Sequence, residues 1–129
     1  MKLVRDKIPD IIKEDGRECK HHVANYDEYK THLYEKMREE LDEFIDTPCE
    51  EEAADMYEVL RAICLLHTFP MEVVESVAAK KRVQRGAFND WIILEEVNES
   101  RWLGKKHSWP LPCESGDYNK DKQTATNEP

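Results

Sequence analysis

Between Asp27 and Phe44 the apolar residues Tyr29, Leu33, Met37, Leu41 and Phe44 recur at spacings of four, four, four and three, as one buried face of a helix requires. Asp27 is placed to cap that helix and Asp46-Thr47-Pro48 to end it. A second long helix is expected to start between Thr47 and Glu50 and to run to about His67. Pro48 suits its first turn, and Thr47 with Glu50 three residues later makes a capping box. A third follows Thr68-Phe69-Pro70, carries Val73, Val74 and Val77, and stops at Arg85 before Gly86. The connection between the second and third is very short, which predicts antiparallel neighbours. Pro9 to Glu14 reads as a short lead-in helix stopped by Asp15-Gly16. Cys19, His21 and Val23 alternate weakly, and Trp91-Ile92-Ile93-Leu94 reads as a short strand or a docking segment.

These elements describe an all-α chain, a helical bundle. At 129 residues it is long enough for one core, and the expected division is a domain over 1–103 and a polar tail over 104–129, partly disordered. Lys and Arg total 19 against 28 for Asp and Glu, a net charge of -9, which argues against a nucleic-acid partner. No apolar run at the N-terminus resembles a signal peptide, and none elsewhere approaches membrane-spanning length. The expectation is a soluble, cytoplasmic protein without a membrane partner, in the host cytoplasm if it is viral. Cys19, Cys49, Cys64 and Cys113 show no Cys-x-x-Cys spacing and are expected reduced, with Cys64 packing as a small hydrophobe.

The second helix carries the informative anomaly. At about 100° per residue, Met56, Val59, Ala62, Ile63 and Leu66 share one face, and Glu52 and Asp55 fall on it too, roughly 20° and 40° to either side of Val59. An ionised carboxylate in an apolar stripe must be protonated, paired or left open to solvent. On the first long helix, within Glu39-Glu40-Leu41-Asp42-Glu43, Glu40 and Glu43 share an edge, and Glu40 flanks the apolar stripe. If the two helices pack antiparallel, Glu40, Glu43, Glu52 and Asp55 converge. Four carboxylates and no nearby Cys or His ligand suit Mg²⁺ or Mn²⁺ better than Zn²⁺. The bland alternative for Glu39 to Glu43 is a solvated acidic face.

Arg5 and Lys7 form one basic cluster, and Lys80, Lys81, Arg82 and Arg85 another. Lys81 and Arg85, four apart, can reach the phosphates of a metal-held ligand, although cations in a last helical turn also simply complement the helix dipole. Glu18-x-x-His21 is one copy of a di-iron ligand pattern that requires two. Trp91, Trp102 and Trp109 can stack on a base, but such residues more often anchor a core or an interface.

The opening, Lys2-Leu3-Val4-Arg5-Asp6-Lys7-Ile8-Pro9-Asp10-Ile11-Ile12, resembles that of the MazG-like, phosphoribosyl-ATP pyrophosphohydrolase-like nucleotide pyrophosphatases. Glu39-Glu40-Leu41-Asp42-Glu43 is similar to that family's Glu-Glu-x-x-Glu, and Glu52-Ala53-Ala54-Asp55 to its Glu-x-x-Asp. Lys81-Arg82-Val83-Gln84-Arg85-Gly86-Ala87-Phe88 is similar to its Lys-x-x-x-Arg-Gly-Gly-Phe, with Ala87 in place of the second glycine. The resemblance spans about residues 1 to 97. It implies a bundle completed by dimerisation, and Mg²⁺ held by Glu40, Glu43, Glu52 and Asp55. Glu39 would be a further ligand or would orient the attacking water, which makes Glu39 and Glu40 the implied catalytic pair. Arg5, Lys7, Lys81 and Arg85 would hold the outgoing pyrophosphate, with Lys36 a weaker candidate.

The implied reaction splits a (d)NTP into (d)NMP and pyrophosphate, for house-cleaning or control of the nucleotide pool, by a homodimer or homotetramer. Relatives act on damaged nucleotides, on dCTP or dUTP, or resemble phage (d)GTP diphosphohydrolases, and no motif here selects the base. The alternative is a non-catalytic acidic helical protein that binds a basic partner.

Overall fold

The computed structural model describes residues 1–98, and the chain divides into two compact units, Met1–Gly86 and Ala87–Pro129. The first unit holds four helices: α1 (Ile8–Glu14), α2 (Tyr26–Asp46), α3 (Glu50–Leu66) and α4 (Met71–Arg85). The described residues contain no β-strand, so the all-α expectation stands. No single helix among them is long and apolar enough to cross a membrane.

Two helix starts differ from the sequence reading. The cap of α2 is Asn25, not Asp27: Asn25 has extended backbone and its side chain accepts from the Glu28 N–H at 2.9 Å. Asn caps as well as Asp, and Asp27 falls in the first turn, where its charge still favours the helix N-terminus. The Thr47/Glu50 capping box does not form. Thr47 closes α2, donating its N–H to the Glu43 carbonyl at 3.0 Å, and α3 begins behind Cys49 with no side-chain cap. Glu50, Glu51 and Glu52 supply the negative charge that its first turn favours.

The helix ends follow one device. After α1, the Gly16 N–H reaches Lys13 O and the Arg17 N–H reaches Ile12 O, a Schellman closure with Gly16 at φ 84°. After α3 the same pair of bonds recurs from Thr68 to Leu65 and from Phe69 to Cys64, but the left-handed position is held by Thr68 at φ 60°. A β-branched residue there is strained by about 1–2 kcal/mol. This reversal turns the chain by 110° into α4, so α3 and α4 are not the antiparallel neighbours their short link predicted. Pro70 then starts α4, and Gly86 at φ 89° ends it as expected.

The core lies between α2 and α3. They run antiparallel: Tyr34 Oη sits 2.7 Å from Nε2 of His67 at the end of α3, whereas Glu40 meets Glu52 and Asp55 near its start. Leu33 on α2, only 2% exposed, and Val59 and Cys64 on α3 are the core's buried apolar side chains. The expected apolar stripe of α2 faces this seam only in part: Leu33 is buried and Tyr29, Met37 and Phe44 are half-buried, but Leu41 is not. Tyr29, Leu33, Lys36 and Glu40 line the seam, while Leu41, one residue and about 100° further on, is 44% exposed. Among the described helices, α4 packs only on α3, and α1 packs on none.

In the second unit, residues 87–98 form neither helix nor strand. Of the short strand or docking segment expected at Trp91-Ile92-Ile93-Leu94, the strand does not form: Trp91 has left-handed backbone (φ 56°), and the described residues contain no strand to pair with it. All four side chains are exposed. Trp102, Trp109, Cys113 and the expected disordered tail lie outside the described residues. Cys19, Cys49 and Cys64 are free thiols, with Cys64 buried as anticipated.

Candidate metal centre

α2 and α3 bring three carboxylates together. Glu40 comes from the middle of α2 and Glu52 and Asp55 from the first turns of α3, each offering an oxygen within 4.8 Å of the other two. Glu40 is 5% exposed, the one buried charged residue among those described. Glu40 Oε1 and Glu52 Oε1 are buried without a hydrogen-bond partner. An orphaned buried acceptor costs about 1–3 kcal/mol, and more when charged. The donor set is all carboxylate oxygen, which fits a hard divalent cation.

Cations crowd the same place. Lys36, one turn before Glu40, sets its Nζ 3.3 Å from Glu40 Oε2 and 3.4 Å from Glu39 Oε2. Burial pulls the Lys36 ammonium downward, but its pairing with Glu40 and Glu39 outweighs this and holds it above its ordinary value. Arg5 donates from Nη2 to Asp55 Oδ1 at 2.7 Å. Lys2, which the sequence reading did not single out, lies 3.4 Å from Glu39. Partial burial raises the Glu39 acid, yet Lys36 and Lys2 more than offset that and leave it below the usual carboxylate range.

Glu43 does not join the cluster. It is exposed, and the like charge of Glu40, then partial desolvation and the charges of Glu39 and Glu52, push its acid upward. It is a neighbour of the centre rather than one of its three converging ligands. The four-carboxylate set anticipated from spacing is therefore a triad here. Glu39 turns toward cations rather than toward the triad.

Of the expected phosphate-binding residues, Arg5 and Lys36 line a cleft of about 250 Å³ that also contains Tyr29, Leu33, Glu40 and Asp55. Lys7, at the cap of α1, and Lys81 and Arg85, exposed near the end of α4, do not line it. The 110° turn before α4 is the physical reason for the last two, since it directs that helix away from the α2–α3 seam. Glu18 and His21 sit in the exposed connection between α1 and α2, so they lack the helical spacing that a di-iron ligand pair needs.

Compared with protein-family models, curated proteins and solved structures, the chain finds no match.

Proposed function

We propose that this protein is a divalent-metal-dependent nucleoside triphosphate pyrophosphohydrolase, cleaving a (d)NTP to (d)NMP and pyrophosphate. The observation that carries the reading is the Glu40/Glu52/Asp55 triad with two buried, unpartnered carboxylate oxygens. Glu40, Glu52 and Asp55 would hold Mg²⁺ or Mn²⁺. When bound, such an ion supplies charge neutralisation for the triphosphate and acidifies a water opposite the α phosphorus.

The chain's own groups do the rest. Arg5 offers a guanidinium fork and Lys36 a point charge in the same cleft, positioned to take up charge on the departing pyrophosphate. Glu39, kept ionised by Lys36 and Lys2, is an acceptor that orients a water rather than a store for its proton. Leu41, Ile45, Leu60 and Leu65 stay exposed on α2 and α3, which supports a homodimer or homotetramer in which a second copy covers them. The reaction would serve the cytoplasmic nucleotide pool. A purely acidic interaction surface fits less well, because Glu40 is withdrawn from any partner.

The test is incubation with Mg²⁺ and a panel of standard and modified NTPs and dNTPs, resolving pyrophosphate from orthophosphate. Pyrophosphate with a monophosphate, lost in EDTA and in Glu52→Ala, is expected. Orthophosphate release, or no turnover with either Mg²⁺ or Mn²⁺, would overturn the reading.

A further inference from the structure

Next to the metal cleft lies a second one, of about 580 Å³, between the N-terminal segment and the connection into α2. The two share a wall made by Leu3, Val4, Arg5, Asp6 and Tyr29. Its far side carries Tyr26, His22, His32 and Glu28. Its size falls in the range of small-molecule sites, and its lining combines aromatic surface with a few polar groups, as such sites require.

The two clefts are linked along one face of α2. Tyr29, Leu33, Lys36 and Glu40 succeed one another at spacings of four, three and four, so they form a single stripe about 16 Å long. That length is comparable with an extended nucleoside triphosphate. The acidic and cationic end suits a metal-bound polyphosphate, and the aromatic end has no use in that chemistry. The polar group there is fixed. His22 Nε2 lies 2.8 Å from Glu28 Oε2, and the Glu28 backbone N–H is tied to the Asn25 cap at 2.9 Å. His22 and the cap draw the Glu28 acid below its ordinary range, which favours its acceptor form, and Glu28 and Tyr29 line the same cleft.

We propose that this second cleft is the nucleobase subsite, in which the base stacks on Tyr29 while Glu28, positioned by His22, accepts hydrogen bonds from the amino or ring N–H groups of the base. Glu28 then determines specificity. It favours bases that present donors on the edge facing it, and it disfavours bases that present only acceptors, whose lone pairs would face a carboxylate. The proposal rests on the pyrophosphohydrolase reading for the occupant's identity, and its geometry is independent of the metal.

The test uses the full-length protein and three substitutions, Tyr29→Leu, Tyr29→Phe and Glu28→Gln, with far-UV circular dichroism confirming the helices. With Mg²⁺ and an NTP panel, Tyr29→Leu is expected to raise KM about tenfold, the low end of a lost base–aromatic stack, with a much smaller change in kcat. Tyr29→Phe should recover most of that loss. Glu28→Gln is expected to reorder the ranking of bases, and Mn²⁺ binding without nucleotide should be unchanged in all three. Unaltered KM values and an unaltered ranking, with turnover intact, would overturn the subsite and leave the pyrophosphohydrolase reading standing. If the wild-type protein turns over no triphosphate, a titration in EDTA decides the subsite alone. Nucleoside 5′-monophosphates shifting the His22 and His32 ring resonances, where tripolyphosphate does not, would support it, and no shift would overturn it.

Discussion

Arg5 and Asp55, fifty residues apart, are joined by a 2.7 Å hydrogen bond from the guanidinium to an oxygen of the carboxylate triad. The pair pins the N-terminal segment across the α2–α3 seam and occupies an oxygen that a bound cation would want. Two opposing effects follow for Arg5→Ala. Release of Asp55 should tighten binding of Mn²⁺ alone by about two- to fivefold, the worth of a partly exposed ion pair. Loss of the guanidinium should raise KM for a triphosphate. Paramagnetic titration of Mn²⁺ beside steady-state kinetics reads both.

Lys36 is the internal counter-charge of Glu40. Lys36→Met leaves that buried carboxylate facing no cation and should destabilise the metal-free protein by roughly 1–3 kcal/mol, below the full cost of a completely buried pair. The Lys36 pKa is raised above its ordinary 10.5, so its contribution is fully present below that value and fades as pH climbs through the folded value. Glu39 is shifted the other way, so its share is present above its ordinary 4.5 and is lost as the solution is acidified. Urea unfolding from pH 4 to 11 should show the wild-type advantage over Lys36→Met as a plateau that falls at both ends.

Divalent metal should stabilise the folded chain through the triad. At a concentration one hundredfold above Kd, linkage gives about 2.7 kcal/mol. For a unit of this size that is a rise in Tm on the order of 10 °C. The shift should vanish in Glu52→Ala and persist in Glu43→Gln, because Glu43 stands outside the three converging oxygens. Differential scanning calorimetry with Mg²⁺ and with EDTA separates the two outcomes.

The exposed leucines of α2 and α3 predict association. Leu41→Glu or Leu60→Glu, each placing a charge on an exposed apolar surface, should shift the sedimentation coefficient from oligomer toward monomer. Wild-type protein sedimenting as a monomer at micromolar concentration would contradict a covered α2–α3 surface.

Thr68 offers a check on the backbone alone. It holds the left-handed position of a Schellman closure that Gly16 fills after α1. Thr68→Gly should relieve the strain and raise stability by about 0.5–1 kcal/mol, the gain being reduced by the added freedom of glycine in the unfolded chain. Thermal unfolding in EDTA measures it without involving the metal centre.

Local chemistry determined much of this protein. The four helices, the glycine stop after α4, the burial of Cys64 and the anomalous face that carries Glu52 and Asp55 all follow from periodicity and capping, which act over a few residues and are written in the sequence. The exposure of Leu41 does not. The apolar stripe put Leu33 and Leu41 in the core together, but past Leu33 the seam passes to Lys36 and Glu40, because a buried carboxylate that gains Lys36 can occupy a place that hydropathy assigns to leucine. Whether Glu43 joins the triad, whether Lys81 and Arg85 reach it, and which cations already sit against it depended on how helices cross and turn. Those are long-range choices, set by a 110° reversal at Thr68 and by an N-terminal segment that crosses to Asp55, and no spacing within a single helix encodes them.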